Sequence, residues 1–206
     1  KKHVIVKRLA SIENFGHMNV LCTDKTGTIT VGKIRLDRVV GSDTKENTKA
    51  ALYGFLNAHF QSGYANPLDQ AILKRLHFDV SAWKKMAEIP YDFNRKRLSL
   101  ILENHGNKIL ILKGAVPQVL SLCTRMELAD GSIVAMNDQK KQLSHYFEKE
   151  CQNGFRTLAL AYGEGPQEEN LIFLGFLHFF DPIKPDIIKV VADLKKAGVS
   201  LKIITG

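Results

Sequence analysis

Apolar residues occur in short blocks of two kinds, and their spacing separates strands from helices. Residues 18 to 24 read Met-Asn-Val-Leu-Cys-Thr-Asp, an apolar run that ends on a carboxylate and meets the turn Lys25-Thr-Gly-Thr-Ile-Thr30. That pattern predicts a buried strand with Asp24 at its carboxyl end. From Asp186 to Ala197 the apolar positions are 187, 190, 191 and 194, a helical spacing closed by Gly198. Val199 to Ile204 then reads as a second strand, followed by Thr205 and Gly206. Between these ends, helical patterns are predicted at 48–60, 67–76, 116–123 and 137–153. Two apolar runs, 97–103 and 108–112, flank Asn104-His-Gly-Asn107 and predict a hairpin. Further strands are predicted at 155–162 and 171–180, around the polar loop 163–170.

A strand at one end and a helix–strand pair at the other belong to an α/β layer, yet most of the chain lies between them. The economical arrangement is an insertion, with residues 1–32 and 181–206 forming one layer and 33–180 a separate α+β module with an antiparallel sheet. The two strand ends would meet at the edge of a parallel sheet, where open α/β sheets bind ligands. Two strands do not make a stable open sheet. The expectation is therefore an excerpt whose remaining strands lie beyond Gly206.

Composition excludes several classes. Hydrophobic residues make up 45% and charged residues 24% of the 206, so disordered and fibrous chains are out. Lysine and arginine number 29 against 21 acids, a net charge of +8. That surplus suits an anionic partner, and equally a basic solvated surface. No recognition motif accompanies it, so no nucleic-acid partner is expected. Cys22, Cys123 and Cys151 have neither C-x-x-C spacing nor an even count, which argues against a disulfide framework or zinc site. The apolar stretch Leu171–Phe180 is half of what a helical membrane crossing needs. No membrane insertion by this segment is expected.

The chemistry concentrates at Asp24. A carboxylate at a strand end can act as a nucleophile towards phosphorus, and the amides of a Gly- and Thr-rich turn can hold phosphate oxygens. Asp24-Lys-Thr-Gly-Thr-Ile-Thr30 resembles the phosphorylation signature of P-type ATPases, within the haloacid-dehalogenase-like superfamily. The resemblance covers essentially the whole chain. It implies incomplete Rossmann-like phosphorylation (P) domain elements at both ends, around an inserted nucleotide-binding (N) domain. It also implies that Asp24 is phosphorylated by ATP, with Mg²⁺ held by Asp24 and the Thr26 carbonyl. Many phosphatases of that superfamily carry an Asp where Thr26 stands. A hydroxyl is a poor proton shuttle, so an aspartyl phosphate should persist longer here.

Other segments extend the resemblance. Pro90-Tyr-Asp-Phe-Asn-Arg-Lys-Arg-Leu-Ser99 is similar to the N-domain stretch whose aromatic stacks on adenine. It implies Phe93 as the stacker, with Arg95 and Lys96 supplying charge. Lys113-Gly114-Ala115 resembles the K-G-A motif that lines the ATP pocket; a lysine at a strand end beside a glycine would allow a ligand close approach. Asn66-Pro-Leu-Asp69 resembles the segment that places an acid near adenine, where the family more often has Glu. Gly154-Phe-Arg156 resembles G-x-R, and Arg156 reads either as a nucleotide contact or as a structural anchor. Asp181-Pro-Ile-Lys184 resembles the interdomain hinge, with Ile183 replacing a proline and Lys184 able to reach phosphates. Thr205-Gly206 resembles the start of T-G-D, implying that Thr205 binds the phosphoryl group.

The resemblance implies the cytoplasmic ATP-binding and phosphorylation part of an integral membrane cation pump, partnered by transmembrane and actuator domains of the same polypeptide. Residues 57–69, 91–99 and 175–184 look most like bacterial magnesium-transporting members, which would place the protein in a bacterial inner membrane. The alternatives are another ion, such as H⁺ or Ca²⁺, or a regulatory nucleotide-binding module without turnover.

Overall fold

The structure, a computed structural model, describes residues 5–8, 10–63, 66–137 and 139–204. The chain divides into two compact units, Lys1–Lys33 with Asp181–Gly206, and Ile34–Phe180. In the first unit, α1 (Ala10–Gly16) leads to β1 (Val20–Asp24).

In the larger unit, β2 (Arg35–Gly41) precedes α2 (Thr48–Phe60) and α3 (Pro67–Arg75). Both helices start on an asparagine cap. Asn47 Oδ1 accepts from the Ala50 amide at 2.8 Å, and Asn66 Oδ1 from the Leu68 amide at 2.7 Å, ahead of Pro67 in the first turn. Strands β3 (Trp83–Asp92), β4 (Arg97–Asn104) and β5 (Asn107–Ala115) follow as a meander. The β4–β5 turn has positive φ at His105 (49°) and Gly106 (82°), the backbone a two-residue hairpin needs. Next come α4 (Val116–Leu122), β6 (Cys123–Glu127), β7 (Ile133–Ala135) and α5 (Gln139–Gln152). Strands β8 (Arg156–Gly163) and β9 (Leu171–Phe180) complete the unit.

Among the described residues these strands form one sheet in the order β3-β4-β5-β8-β9-β6-β7, and β2 also pairs with β9. Strand β9 serves two neighbours along one edge: residues 171–173 pair with β6, and 175–180 with β2. At Gly175 an added Cβ would lie 2.0 Å from the Val40 carbonyl oxygen, so β2 can approach there only over a glycine. The sheet is antiparallel except for β6 and β9, which run parallel. The antiparallel sheet expected is thus present, with one parallel pair added by β6, which is absent from the predicted strands and follows α4 directly. Strands β2, β3 and β7 were likewise not predicted.

Alternation along the strands builds two cores, one on each face of the sheet. Leu98, Leu100, Leu102 and Ile111 pack with Leu56 of α2 and Ile72 of α3. Leu110 and Leu112 pack with Val119 and Leu143 from the other two helices. Covered on both sides, β9 is apolar at nearly every position.

Back in the first unit, α6 (Ile187–Lys196) ends before Gly198 (φ 75°) and leads into β10 (Ser200–Ile204). Strands β1 and β10 pair in parallel, from Val20 opposite Ser200 to Asp24 opposite Ile204. Among the described residues no helix is long and apolar enough to cross a membrane.

Candidate functional site

Two places carry the predicted chemistry, one in each unit. The first is a cavity of about 700 Å³ within Ile34–Phe180, within the size range of small-molecule and cofactor pockets. Asp69, Phe93, Lys96, Lys113, Gly114 and Arg156 all line it. They come from α3, the β3–β4 turn, β5 and β8, so the fold gathers side chains far apart in sequence.

At the cavity wall the Lys113 ammonium donates to Asp69, both side chains being almost fully buried (5% and 2% exposed). Asn66 Nδ2 donates to the other Asp69 oxygen at 2.8 Å. Burial pulls the Lys113 pKa below its ordinary value, opposed by the adjacent carboxylate. The ammonium is committed to Asp69, and both residues line the cavity. Gly114 also has a reason within the fold. A Cβ there would meet Arg97 Cβ at 2.6 Å and the Lys96 carbonyl oxygen at 2.7 Å. The glycine accommodates the start of β4.

Phe93 opens the β3–β4 turn and is 84% exposed. Its ring meets Tyr91 edge-on, with centroids 5.4 Å apart. Asp92 shapes the turn by accepting from the Asn94 amide (2.9 Å) and the Arg95 amide (2.7 Å). Lys96 closes it at φ 51°, and its carbonyl accepts from the Ala115 amide at 2.9 Å. Arg95 is not among the residues lining the cavity; its guanidinium donates to Glu168 and to the Pro90 carbonyl.

Sequence reasoning did not reach Tyr91 or Glu168. Tyr91, two residues before Phe93 on an exposed strand, could have been found from the aromatic pair. Glu168 carries no sequence signal: it stands in a polar loop, 69 to 73 residues from its partners.

The second place is the loop after β1. Asp24 is exposed at the strand's carboxyl end. Beyond it Thr26 is extended (φ −76°, ψ 124°) and Gly27 has φ 76°. Lys184 Nζ donates to the Gly27 carbonyl at 2.7 Å. Asp181 Oδ2 accepts from Thr30 Oγ1 at 2.5 Å, and its Oδ1 from the Gly32 amide (2.9 Å) and the Lys33 amide (3.2 Å). Thr205 lies outside the described residues. Among the described residues no three His, Cys, Asp or Glu side chains converge as a metal cage. The Asp24 carboxylate and Thr26 carbonyl are hard oxygen donors, and one or two such groups plus substrate phosphates and water suit Mg²⁺.

A family model described as P-type ATPase, cytoplasmic domain N, matches residues 61–186. Over its full length the chain is 35% identical to "Magnesium-transporting ATPase, P-type 1" of Escherichia coli strain K12, covering 25% of that protein. It is 34% identical to the protein of the same name from Salmonella typhimurium strain LT2, covering 24%. Against "Calcium-transporting ATPase 1" of Bacillus cereus, identity is 24% over the whole chain and 27% of that protein. The chain thus spans about a quarter of the length of these curated relatives.

Proposed function

The chain belongs to the P-type ATPase family, by its cytoplasmic domain N, and from that premise we propose that the 700 Å³ cavity binds ATP for transfer of its terminal phosphoryl group to Asp24. The observation carrying this reading is the convergence of Asp69, Phe93, Lys96, Lys113 and Arg156 on one cavity. In it the Phe93 ring, largely bare to solvent, stacks on the adenine. Lys96 and Arg156, both exposed, meet the phosphates. Asp69 and Lys113, tied to each other, form a fixed polar wall beside the base, and Gly114 keeps β4 close to it. Arg95 enters as support for the turn.

The transfer step conserves charge and atoms. An Asp24 carboxylate oxygen forms a bond to the γ-phosphorus, and the bond from that phosphorus to the β–γ bridging oxygen breaks, releasing ADP. Asp24 and the Thr26 carbonyl would hold Mg²⁺, which supplies neutralisation of phosphate charge. Lys184 and Thr205 stabilise the transferring group. With Thr26 where a proton-shuttling acid would stand, water attacks the acyl phosphate slowly, and the intermediate lives long enough to drive a conformational change.

In the whole protein this chemistry drives cation transport, with Mg²⁺ as cargo. Support for that ion is the higher identity to relatives named as magnesium-transporting than to one named as calcium-transporting. Residues 1–32 and 181–206 form part of a haloacid-dehalogenase-like phosphorylation domain, and 33–180 the nucleotide-binding domain. The protein is placed in a bacterial inner membrane with this chain on the cytoplasmic side, joined to transmembrane and actuator domains.

Titration of the chain with ATP, followed by NMR, tests the binding. Shifts at Phe93 and Lys113 that saturate with a Kd of about 0.1–1 mM are expected, the strength of an open pocket with few anchors. No shift at either residue overturns the reading.

A further inference from the structure

Glu168 accepts hydrogen bonds from two arginines and a serine. It lies between β8 and β9, in the polar segment 164–170. Its two oxygens accept from Arg95 Nη1 at 3.0 and 2.9 Å, from Arg97 Nε at 2.7 Å and from Ser99 Oγ at 2.7 Å. The side chain is 10% exposed. Burial opposes its ionisation, yet the bonds from Ser99, Arg97 and Arg95 together outweigh it and hold the pKa below the usual carboxylate range. At neutral pH this is a carboxylate, clamped by two guanidinium groups.

The clamp does not face the cavity. Leu98 and Lys113 are cross-strand partners and both line it. Strand alternation puts Arg97 and Ser99 on the opposite face of β4. Glu168 therefore grips the β3–β4 hairpin from the face of β4 opposite Leu98, and neither it nor Arg95, Arg97 or Ser99 lines the cavity. Its three partners are the residue inside the turn (Arg95), the first residue of β4 (Arg97) and the next residue on that face (Ser99). Arg95 passes the grip on, since its Nη2 donates to the Pro90 carbonyl at 2.8 Å on the incoming strand.

What the clamp holds is a segment with little packing of its own. The Phe93 ring is 84% exposed, and Lys96 sits at φ 51°, a left-handed conformation that a non-glycine residue keeps only where its surroundings impose it. A stacking ring on a loose turn must be ordered by its ligand at a cost in affinity; a fixed turn avoids that cost.

We propose that Glu168 is a positioning residue for base recognition, fixing through Arg95, Arg97 and Ser99 the turn that presents Phe93 and Lys96 to the cavity. This rests on the cavity being the ATP site.

The test is a double-mutant cycle on the whole chain, with ATP as the probe and affinity read by calorimetry. Glu168→Gln keeps the shape and removes the charge, and should weaken ATP binding about three- to tenfold, the worth of a charged hydrogen-bond set. Phe93→Ala should weaken it about tenfold. If Glu168 acts through the turn, the double variant loses at least threefold less than the product of the two, since Phe93 is then already misplaced. Ser99→Ala, which removes one donor and no charge, should show the same coupling in weaker form and covers the case in which Glu168→Gln does not fold. A merely structural Glu168 lowers the melting temperature but leaves the losses multiplicative, which overturns the proposal, as does unchanged or tighter binding by Glu168→Gln. Absence of ATP binding by the unsubstituted chain overturns the ATP reading and this proposal together; binding with a multiplicative cycle overturns this proposal alone.

Discussion

The ammonium of Lys113 and the carboxylate of Asp69 form an ion pair inside the protein, joining β5 to α3 across 44 residues of sequence. Pairing offsets part of the cost of burying the two charges, and the pair is vulnerable to loss of one member. Lys113→Met leaves Asp69 buried without its ammonium partner, with Asn66 still donating to it. A stability loss of about 3–5 kcal/mol is expected. Lys113→Met combined with Asp69→Leu removes both charges and should recover most of it. Urea unfolding of the single and double variants decides the matter. A double variant as unstable as the single one would mean that packing of the lysine stem, not charge, dominates at this wall.

Phe93 presents the opposite case. With 84% of its surface in solvent, it contributes little to folding. Phe93→Ala should leave the unfolding free energy within about 0.5 kcal/mol of the parent. ATP affinity should fall about tenfold, the scale of losing one base–aromatic stack. Parallel denaturation and ATP titration separate the two effects. Loss of stability without loss of affinity would remove the ring from the proposed contact.

How much of this was legible in the sequence depends on whether the signal was local. Helix α2 announces itself because a cap and helical spacing lie in one window, and the β4–β5 hairpin because Asn104-His-Gly-Asn107 separates two apolar runs. Strand β3 hides because it is an edge strand, largely exposed, with lysines and Pro90 where an inner strand would carry apolar residues. Strand β6 hides because its five residues follow α4 without a break. Side-chain types at the cavity could be read from motifs, but their partners could not. Nothing in the spacing of Lys113 and Asp69, or of Arg95 and Glu168, says that they meet. Both pairs are made by strand order and loop path, and those are settled by the whole chain.

Asp181 offers a test in the other unit. Its carboxylate takes the Thr30 hydroxyl and the amides of Gly32 and Lys33, so one side chain holds the outgoing strand of chain against the returning one. Asp181→Ala strips the Gly32 and Lys33 amides of this acceptor and leaves the Thr30 hydroxyl with the Lys25 carbonyl at 3.3 Å. A loss of about 2 kcal/mol is expected for the unit formed by Lys1–Lys33 and Asp181–Gly206, because water can satisfy part of what is left. Hydrogen exchange should report it as faster exchange of the Gly32 and Lys33 amides, with β4 and β5 amides unchanged. Equal acceleration in both units, or none, would contradict this local role.

His178 gives the fold a predictable acid limit. The imidazole is fully buried on β9, between Tyr146 Oη at 3.1 Å and Thr157 Oγ1 at 2.9 Å. Burial, reinforced by the Arg38 charge and only partly opposed by Asp37, pulls its pKa down to about 4. In the unfolded chain the same group titrates near the ordinary value of about 6.5. Between those values the unfolded chain binds more protons than the folded one, so stability is fully present above pH 6.5 and drains away as pH falls towards 4. The loss attributable to this residue is about 3 kcal/mol at the lower end. Glu168, also held below its ordinary pKa, adds an acid loss of the same sign, but below about pH 4.5. The window from 4.5 to 6.5 therefore belongs chiefly to the histidine. His178→Gln, which does not titrate, should flatten the stability curve there, even if it lowers stability at pH 7. Unfolding free energies measured across that window for both proteins give the slopes directly, and parallel curves would show that the buried imidazole does not set the acid limit.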